Sequence, residues 1–315
     1  MPSSVVRTFS NPDEYAASMR QGTVEMTITE RGRFSAKLTQ IDLHRLWMQR
    51  FEQNLSQISQ IDGWGRRAIF AFRTEPGPDL SWSGIASQPT DIFRLSEGQS
   101  YHKRSSGAVG FAGMSLPIEE MAALGAALGG SDLTPPKDPL AITPPSRAMA
   151  KLQRLHAAAG RMAEDAPEII AHPEAARGFE QALIEALVDC LAEGITGENR
   201  SALRHHALIM RRFRREVEEN PDQVLYIPEL CKVIAVSERT LRICCQEQLG
   251  MSPKRYLMMR RMNLARRALR DSSPEMATVT DIATRYGFWQ FGRFAGEYKS
   301  LFGEAPSATL HRPRD

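Results

Sequence analysis

Residues 227–250, with the sequence IPELCKVIAVSERTLRICCQEQLG, predict two short helices joined by a tight turn. Pro228 suits the first turn of a helix, where backbone N–H groups have no partner within the helix. Ser237 is placed to cap the second helix, residues 238–249. Gly250 follows at once, and glycine most readily takes the left-handed conformation that ends a helix. Two helices in this arrangement form a helix-turn-helix unit.

The second helix of this unit has one apolar face and one polar face. Leu241, Cys245 and Leu249 recur at helical spacing and are predicted to be buried. The opposite face carries side chains that suit the major groove of DNA, because arginine donates two hydrogen bonds to guanine and glutamine pairs with adenine. These side chains are Arg239, Arg242 and Gln246. The alternative interpretation is a solvated polar face on an ordinary helix.

Residues 280–303, TDIATRYGFWQFGRFAGEYKSLFG, repeat this plan about fifty residues later. Thr280 is predicted to cap a first short helix, and Gly287 to supply the turn. A second helix is predicted from Trp289 to Phe302, closed by Gly303. Its more exposed residues are expected to be Gln290, Arg293, Glu297 and Lys299.

A long basic helix from Ser252 to Arg270 is predicted between the two units. A single helix fixes their spacing, so that both second helices can enter successive major grooves roughly 34 Å apart on one side of a duplex. The residues assigned to DNA contact are Ser237, Glu238, Arg239, Arg242, Gln246, Arg260, Gln290, Arg293 and Lys299.

Charge is divided unevenly along the chain. Residues 200–315 hold 21 Lys and Arg against 13 Asp and Glu, a balance of +8, whereas residues 1–199 hold 19 against 24. A basic region attracts a polyanion, because neutralised phosphates release their condensed counterions. Charge alone leaves a second interpretation open, in which these arginines lie on solvated helices.

The first part of the chain predicts strands. From about Thr23 to Leu116, short β-rich runs are separated by glycine and proline clusters, which favours an antiparallel sandwich or barrel. Prolines then concentrate before residue 146, and leucines beyond them recur at helical spacing. These helices are predicted to pack within the chain, with dimerisation as the alternative.

The chain is therefore predicted to be an α+β protein. Its expected parts are an antiparallel β-rich effector or dimerisation domain (1–116), a proline-containing linker and helical connector (117–198), and an all-α tandem helix-turn-helix domain (199–315).

Between Leu225 and Leu310, about a quarter of the chain, the sequence resembles the DNA-binding domain of AraC/XylS-type regulators. The first unit matches at Ser237, Leu241, Gly250, Ser252, Pro253, Tyr256, Arg260 and Ala265. The second unit matches at Ile282, Ala283, Tyr286, Gly287, Phe288, Phe294, Tyr298, Lys299, Phe302, Gly303, Pro306 and Ser307. The sequence departs at Ile243 and Gly296, where the family usually has arginine, and at residues 309–311, where many relatives have a tyrosine-arginine pair.

This resemblance implies a sequence-specific DNA-binding transcription regulator. It implies activation through recruitment of RNA polymerase, with repression left open. It also implies an N-terminal β-domain, often cupin-like, that binds a small-molecule effector or holds a homodimer. The expected partners are double-stranded DNA, RNA polymerase, an effector and a second copy of the chain. No cofactor and no enzymatic activity are expected.

Other kinds of site lack the residue groupings that they need. No stretch approaches the roughly 18 apolar residues of a membrane span, so a cytoplasmic protein is expected. The four cysteines lack metal-binding spacings and are predicted to be structural, although the adjacent pair Cys244 and Cys245 leaves a redox or metalloid sensor open. His44 and His102 are isolated, which disfavours a metal-dependent enzyme. The alternatives kept open are a cupin-type enzyme with a helical tail and a protein-interaction module.

Two features of the β-rich region each have two interpretations. Residues 101–104, Tyr-His-Lys-Arg, are predicted to form a polar loop, with a ligand clamp as the alternative. Trp47, Trp64 and Trp82 are predicted to pack in the core, with an effector pocket as the alternative.

Overall fold

A computed structural model describes residues 1–20, 22–63, 66–95, 98, 100–127, 133–137, 140–196, 201–220 and 224–312. The strands are β1 (Ser3–Phe9), β2 (Gly22–Ile28), β3 (Ala36–Asp42), β4 (Trp47–Gln53), β5 (Gln57–Gly63), β6 (Arg67–Arg73), β7 (Leu80–Trp82), β8 (Ile85–Ala86), β9 (Ile92–Leu95), β10 (Ser100–Ser105), β11 (Val109–Pro117), β12 (Leu140–Thr143) and β13 (Ile195–Thr196). The helices are α1 (Pro12–Ala17), α2 (Ile118–Ala127), α3 (Ser146–Asp165), α4 (Pro167–Ala171), α5 (Pro173–Glu193), α6 (Ser201–Glu219), α7 (Ile227–Ile234), α8 (Glu238–Leu249), α9 (Pro253–Asp271), α10 (Val279–Arg285), α11 (Phe291–Phe302) and α12 (Pro306–Leu310). Among these residues, no helix combines the length and the apolar character that crossing a membrane requires.

Two antiparallel sheets form the N-terminal domain. One has the strand order β1-β3-β4-β11-β6-β9-β12-β13 and the other has the order β2-β5-β10-β7-β8. Their inner faces share a core in which Phe51, Phe93 and Phe111 of the first sheet meet Trp82 and Tyr101 of the second. Because alternate side chains of a strand point to opposite faces, this core accounts for the period-two pattern of the sequence. The predicted combination of an N-terminal antiparallel β-domain with helices at the C-terminus is confirmed.

The strands extend beyond the region that the sequence predicts. β1 lies at residues 3–9, before Thr23, and pairs along its whole length with β3. β12 lies within the predicted connector and pairs with β9. β1 borders polar sequence, and β12 has four residues beside a proline-containing segment, so their pairing with other strands, not their local pattern, identifies them.

The helices of the predicted connector lie against the larger sheet. Leu152 of α3 and Leu183 and Leu187 of α5 are fully buried in one core with Met48 and Phe70 of that sheet. The leucine spacing therefore reflects packing within the chain. One buried acid, Glu180 of α5, accepts hydrogen bonds from the backbone N–H groups of residues 45 and 46, at 2.5 and 2.8 Å, and so fastens α5 to the turn before β4.

The C-terminal helices contain two small cores that share one long helix. Tyr256 and Leu257, near the start of α9, pack with α6, α7 and α8. Met262, Ala265 and Leu269, further along α9, pack with α10, α11 and α12. Because one helix contributes to both cores, it fixes the two units relative to each other.

The C-terminal domain packs on the outer side of the smaller sheet. Ile58 of β5 points away from the inner core and belongs to the core of the first helical unit. Asn263 of α9 spans the edge strand β2: its Oδ1 accepts from the N–H of Ile28 at 3.1 Å, and its Nδ2 donates to the carbonyl oxygen of Ile28 at 3.2 Å. These two bonds satisfy backbone groups of Ile28, whose strand has a neighbour, β5, on one side only.

Candidate nucleic-acid interface

The first helix-turn-helix unit consists of α7, a three-residue turn and α8. Ala235 ends α7 in the left-handed conformation, with φ of 58°. Ser237 then caps α8, because its Oγ accepts a hydrogen bond from the N–H of Thr240 at 3.1 Å. Gly250 ends α8 in the left-handed conformation, with φ of 69°. The predicted cap, bounds and stop of this helix are all confirmed.

The second unit follows the same plan with different bounds from those predicted. The cap of α10 is Thr278, and Asp281 completes a capping box with it, so the assignment of the cap to Thr280 was wrong. Gly287 makes the turn with φ of 75°, and a Cβ there would lie 2.3 Å from Cγ2 of Val224, so both the conformation and the space require glycine. α11 begins at Phe291, two residues later than predicted, with Gln290 at its N-cap.

The two outward-facing helices, α8 and α11, align residue by residue at an offset of 53, from Ser237 onto Gln290. The buried positions correspond in pairs: Leu241 with Phe294, Cys245 with Tyr298 and Leu249 with Phe302. The terminating glycines correspond as well, Gly250 with Gly303, and both have positive φ. Since the buried sides match in order and spacing, the exposed sides of the two helices are comparable position by position.

The predicted DNA-contacting residues of α8 lie where the sequence places them. Ser237, Glu238, Arg239, Arg242 and Gln246 are all exposed, whereas Leu241 and Cys245 on the opposite side are buried. Two guanidinium groups and one carboxamide are therefore presented on one solvent-facing surface, which is the arrangement that contact with base edges requires.

The predicted residues of α11 are exposed but differ in their surroundings. Gln290 and Lys299 face solvent. The Nε of Arg293 donates to Oε1 of Glu297 at 2.7 Å, one helical turn further on. An exposed pair of this kind contributes little to stability, so the guanidinium can exchange this partner for a phosphate at small cost. Trp289 precedes the helix and remains 78% exposed.

Arg260 is the one predicted DNA contact that the structure places away from solvent. Its side chain is only 7% exposed, and its Nε lies 3.2 Å from Oε1 of Glu25 on β2. In this arrangement Arg260 serves the junction between the domains and is unavailable to DNA. Its position on α9 follows the apolar pattern of neighbouring residues, and a charged residue on a buried face was the signal that sequence reasoning overlooked.

Comparison with known proteins supports this geometry. Residues 230–312 match a family model described as a helix-turn-helix domain. A probable AraC family transcriptional regulator from Rhodopseudomonas palustris, known as a crystal structure, is 32% identical; the match covers 33% of this chain and 98% of that one, with a TM-score of 0.31. The helical domain, over residues 230–312, is of the AraC/XylS type.

Curated relatives match over the same region. A probable thc operon regulatory protein of Rhodococcus erythropolis is 42% identical over 94 residues, which is 30% of this chain and 28% of that protein. The XylDLEGF operon transcriptional activator 3 of Pseudomonas putida is 36% identical over 96 residues, which is 30% of this chain and 29% of that protein. The matched part thus spans less than a third of either relative.

The AraC/XylS-type domain is joined to the β-domain by a row of ion pairs along α9. Besides Arg260, Arg267 approaches Asp13 to 2.7 Å and Arg270 approaches Glu14 to 2.9 Å. Three arginines of α9 thus pair with acids of the β-domain, whereas Lys254 and Arg255 of α9 and the arginines of α8 are exposed. Of the basic residues of α9, the sequence assigned only Arg260 to DNA contact.

The segment 101–104 is a strand and not the polar loop that the sequence predicted. Tyr101 and Lys103 of β10 point into the core between the sheets, and His102 points to the opposite side. Lys103 is 1% exposed, and its Nζ lies 3.7 Å from the centre of the Phe111 ring. Burial lowers the pKa of Lys103 well below its ordinary value, because an apolar environment disfavours the ammonium form.

Among the buried hydrogen-bond donors of this core that have no acceptor in the described residues, three lie on the adjacent strands β7 and β10. They are Nζ of Lys103, Nε1 of Trp82 and the hydroxyl of Tyr101. Lys103 and Trp82 are directly opposite each other in the sheet, and the Trp82 and Tyr101 rings are 5.7 Å apart. Buried donors are usually paired, so such a group of unpaired ones marks a place where an acceptor-bearing molecule would be stabilised. Trp82 is a core residue, Trp47 packs beneath the guanidinium of Arg67, and Trp64 lies outside the described residues.

The remaining candidate residues, His44, His102 and the adjacent cysteines, are not grouped as metal ligands in the described part of the chain. His44 is exposed and contacts the carbonyl oxygen of Pro173, whereas His102 is buried. Cys244 and Cys245 are both buried, and burial raises the pKa of each thiol, to about 11 for Cys244. Within the described residues, no three His, Cys, Asp or Glu side chains are grouped so that they could hold a metal ion.

Proposed function

We propose that this protein is a sequence-specific transcription regulator that binds duplex DNA through α8 and α11. The observation that carries the proposal is the residue-by-residue correspondence of two helix-turn-helix units that share α9. A pair of outward helices held by one rigid helix can enter successive major grooves on the same side of DNA. The excess of basic residues in this third of the chain supports association with the phosphate backbone.

Activation is the proposed direction of control, with RNA polymerase as the partner. The support is that several similar proteins are known as transcriptional activators. A regulator of this kind acts in the cytoplasm, where the chromosome lies. A homodimer formed through the N-terminal domain remains a prediction.

The N-terminal domain is proposed to bind a small-molecule effector between its two sheets. The support is the set of three unpaired donors contributed by Trp82, Tyr101 and Lys103. A ligand that offers oxygen acceptors to these groups would remove the cost of leaving them unpaired. The paired strands β5 and β10 line this core with one face and contact the first helical unit with the other. A shift of β10 on ligand binding would therefore displace residues that contact the DNA-binding domain.

The experiment that tests DNA binding is selection of bound duplexes from a library with a randomised centre, followed by fluorescence anisotropy with the selected sequence. We expect enrichment of one site and an affinity that falls steeply with salt, as counterion release requires. The double variant Arg239→Ala, Arg242→Ala should lose the preference for the selected site over random DNA, while its fold, followed by circular dichroism, stays unchanged. A protein-interaction module would show neither enrichment nor salt-dependent affinity for duplex DNA.

A further inference from the structure

The outward faces of α8 and α11 are chemically unequal at corresponding positions. Where α8 presents Arg239, Arg242 and Ile243, the aligned positions of α11 hold glycine, alanine and glycine. The fourth pair is Gln246 and Lys299. Arginine and glutamine distinguish bases by paired hydrogen bonds, whereas glycine and alanine offer no hydrogen-bonding side chain.

Packing within the protein does not explain the small residues of α11. A Cβ at Gly292 or Gly296 would meet no described heavy atom within 4 Å. Glycine inside a helix costs about 1 kcal/mol relative to alanine, so two such positions weaken the helix without any compensating close contact in the chain. The face of α11 therefore holds only glycine or alanine at three of the four positions where α8 presents outward side chains, with Lys299 at the fourth.

The face of α8 includes one apolar side chain among its polar ones. Ile243 is 42% exposed and lies one turn after Arg239 and one turn before Gln246 or Glu247. The apolar feature that a base pair offers in the major groove is the C5-methyl group of thymine. An isoleucine in the middle of a base-contacting face thus has a specific complement in DNA.

Arg293 does not give α11 an equivalent of the base-contacting arginines of α8. Its aligned residue in the first unit is Thr240, which is half-buried and hydrogen-bonded to the cap Ser237. Arg293 therefore leaves the helix at the flank, where it pairs with Glu297. A guanidinium at the flank of a helix in the groove is placed to meet phosphates, which position a protein but carry no direct sequence information.

We propose that α8 alone determines base specificity, with Ile243 contacting a thymine methyl group, and that α11 docks in the neighbouring groove with little base discrimination. This inference rests on the proposed DNA-binding function. The selected site should accordingly show strong base preference in one half and weak preference in the half about one helical turn away.

The test uses the full chain and the duplex recovered by selection. Each thymine of the preferred half is replaced in turn by deoxyuridine, which removes only the methyl group. We expect one replacement to weaken binding by about fourfold, the contribution of a buried methyl-sized group. The variant Ile243→Ala should bind the thymine and deoxyuridine duplexes equally. Val233→Ala, which shortens another exposed aliphatic side chain on α7, should retain the full fourfold difference.

A gain-of-specificity variant tests the second half of the proposal. Gly296→Arg places a guanidinium at the position that aligns with Ile243, in open space, so the helix should accept it. Repeated selection with this variant should recover a new base preference in the weak half, whereas Gly296→Ala should not.

The possible failures are distinguishable. Equal base preference in both halves of the site, or a deoxyuridine effect that persists in Ile243→Ala, would overturn this inference while leaving DNA binding intact. Absence of any enriched site would overturn the proposed function and this inference with it.

Discussion

Replacing Asn263 should loosen the attachment of the DNA-binding domain to the β-domain. Asn263 is 7% exposed and is hydrogen-bonded to both backbone groups of Ile28. In Asn263→Ala, the N–H and the carbonyl oxygen of Ile28 lose their partners in a buried place. An unsatisfied buried polar group costs about 1–3 kcal/mol, and partial entry of water lowers the total, so we expect a loss of about 2–4 kcal/mol in docking free energy.

Backbone hydrogen exchange followed by mass spectrometry measures this loss locally. The peptide that contains Ile28 should exchange at least tenfold faster in Asn263→Ala, because 1.4 kcal/mol already corresponds to a factor of ten. Asn263→Asp is a second test: its carboxylate can still accept from Ile28 N–H but has no donor for the Ile28 carbonyl oxygen.

The matched control is Glu14→Gln, which weakens another contact across the same junction. Glu14 pairs with Arg270 at 2.9 Å, but its side chain is 60% exposed, so we expect a change below about 0.5 kcal/mol. Unchanged exchange of the Ile28 peptide in Asn263→Ala, or an equal effect of Glu14→Gln, would refute the claim that Asn263 holds the domains together.

Three further predictions concern base contact, buried charge and acid. Arg242→Ala should cost about 1–3 kcal/mol on the selected duplex and relax specificity at one base pair, which competition between single-mismatch duplexes measures; undiminished discrimination would remove Arg242 from the base contacts. Lys103→Met should raise the free energy of unfolding by about 1–3 kcal/mol at neutral pH, since it removes an unpaired buried amine, and should abolish the effector response; a loss of stability would contradict the assignment of Lys103. Burial, together with the positive charge of Arg214 near His102 and of Arg50 near His156, lowers the pKa of each histidine to about 3. The unfolded chain therefore binds protons at these histidines at a higher pH than the folded protein does, so the free energy of unfolding falls as the pH drops below about 6.5. Denaturant unfolding at pH 7 and 5.5 should show a loss of about 1 kcal/mol per histidine, and His156→Gln should remove half of it; a pH-independent midpoint would show that neither histidine is held neutral.

The helical units were predictable because their signals are local. The serine cap, the terminating glycine and the apolar stripe of α8 all lie within the fourteen residues 237–250, and the structure has each of them where the sequence predicts it. Thr280 was misassigned as a cap because Thr278 and Thr280 both precede the apolar residues, and only the position of Asp281 three residues after Thr278 distinguishes them. Local signals were therefore sufficient to locate the helices, and the starts of α10 and α11 were each misplaced by two residues.

The junction between the domains could not be predicted in the same way. Arg260 and Asn263 have the residue types of an exposed helix, yet both are buried because partners on β2 lie more than two hundred residues earlier in the chain. Lys103 was placed in a polar loop because a lysine flanked by histidine and arginine is usually solvated. Its burial follows from the pairing of β10 with β5 and β7, which places Lys103 on the inner face of the sheet. That pairing joins residues that are distant in sequence, so no local pattern indicates it.

Hydroxyl-radical footprinting of the full chain on its selected duplex tests whether α8 and α11 dock together on one side of DNA. We expect two protected patches about one helical turn apart on the same face of the DNA, since α9 holds α8 and α11 as one unit. Protection of a single patch, or of patches on opposite faces, would contradict it.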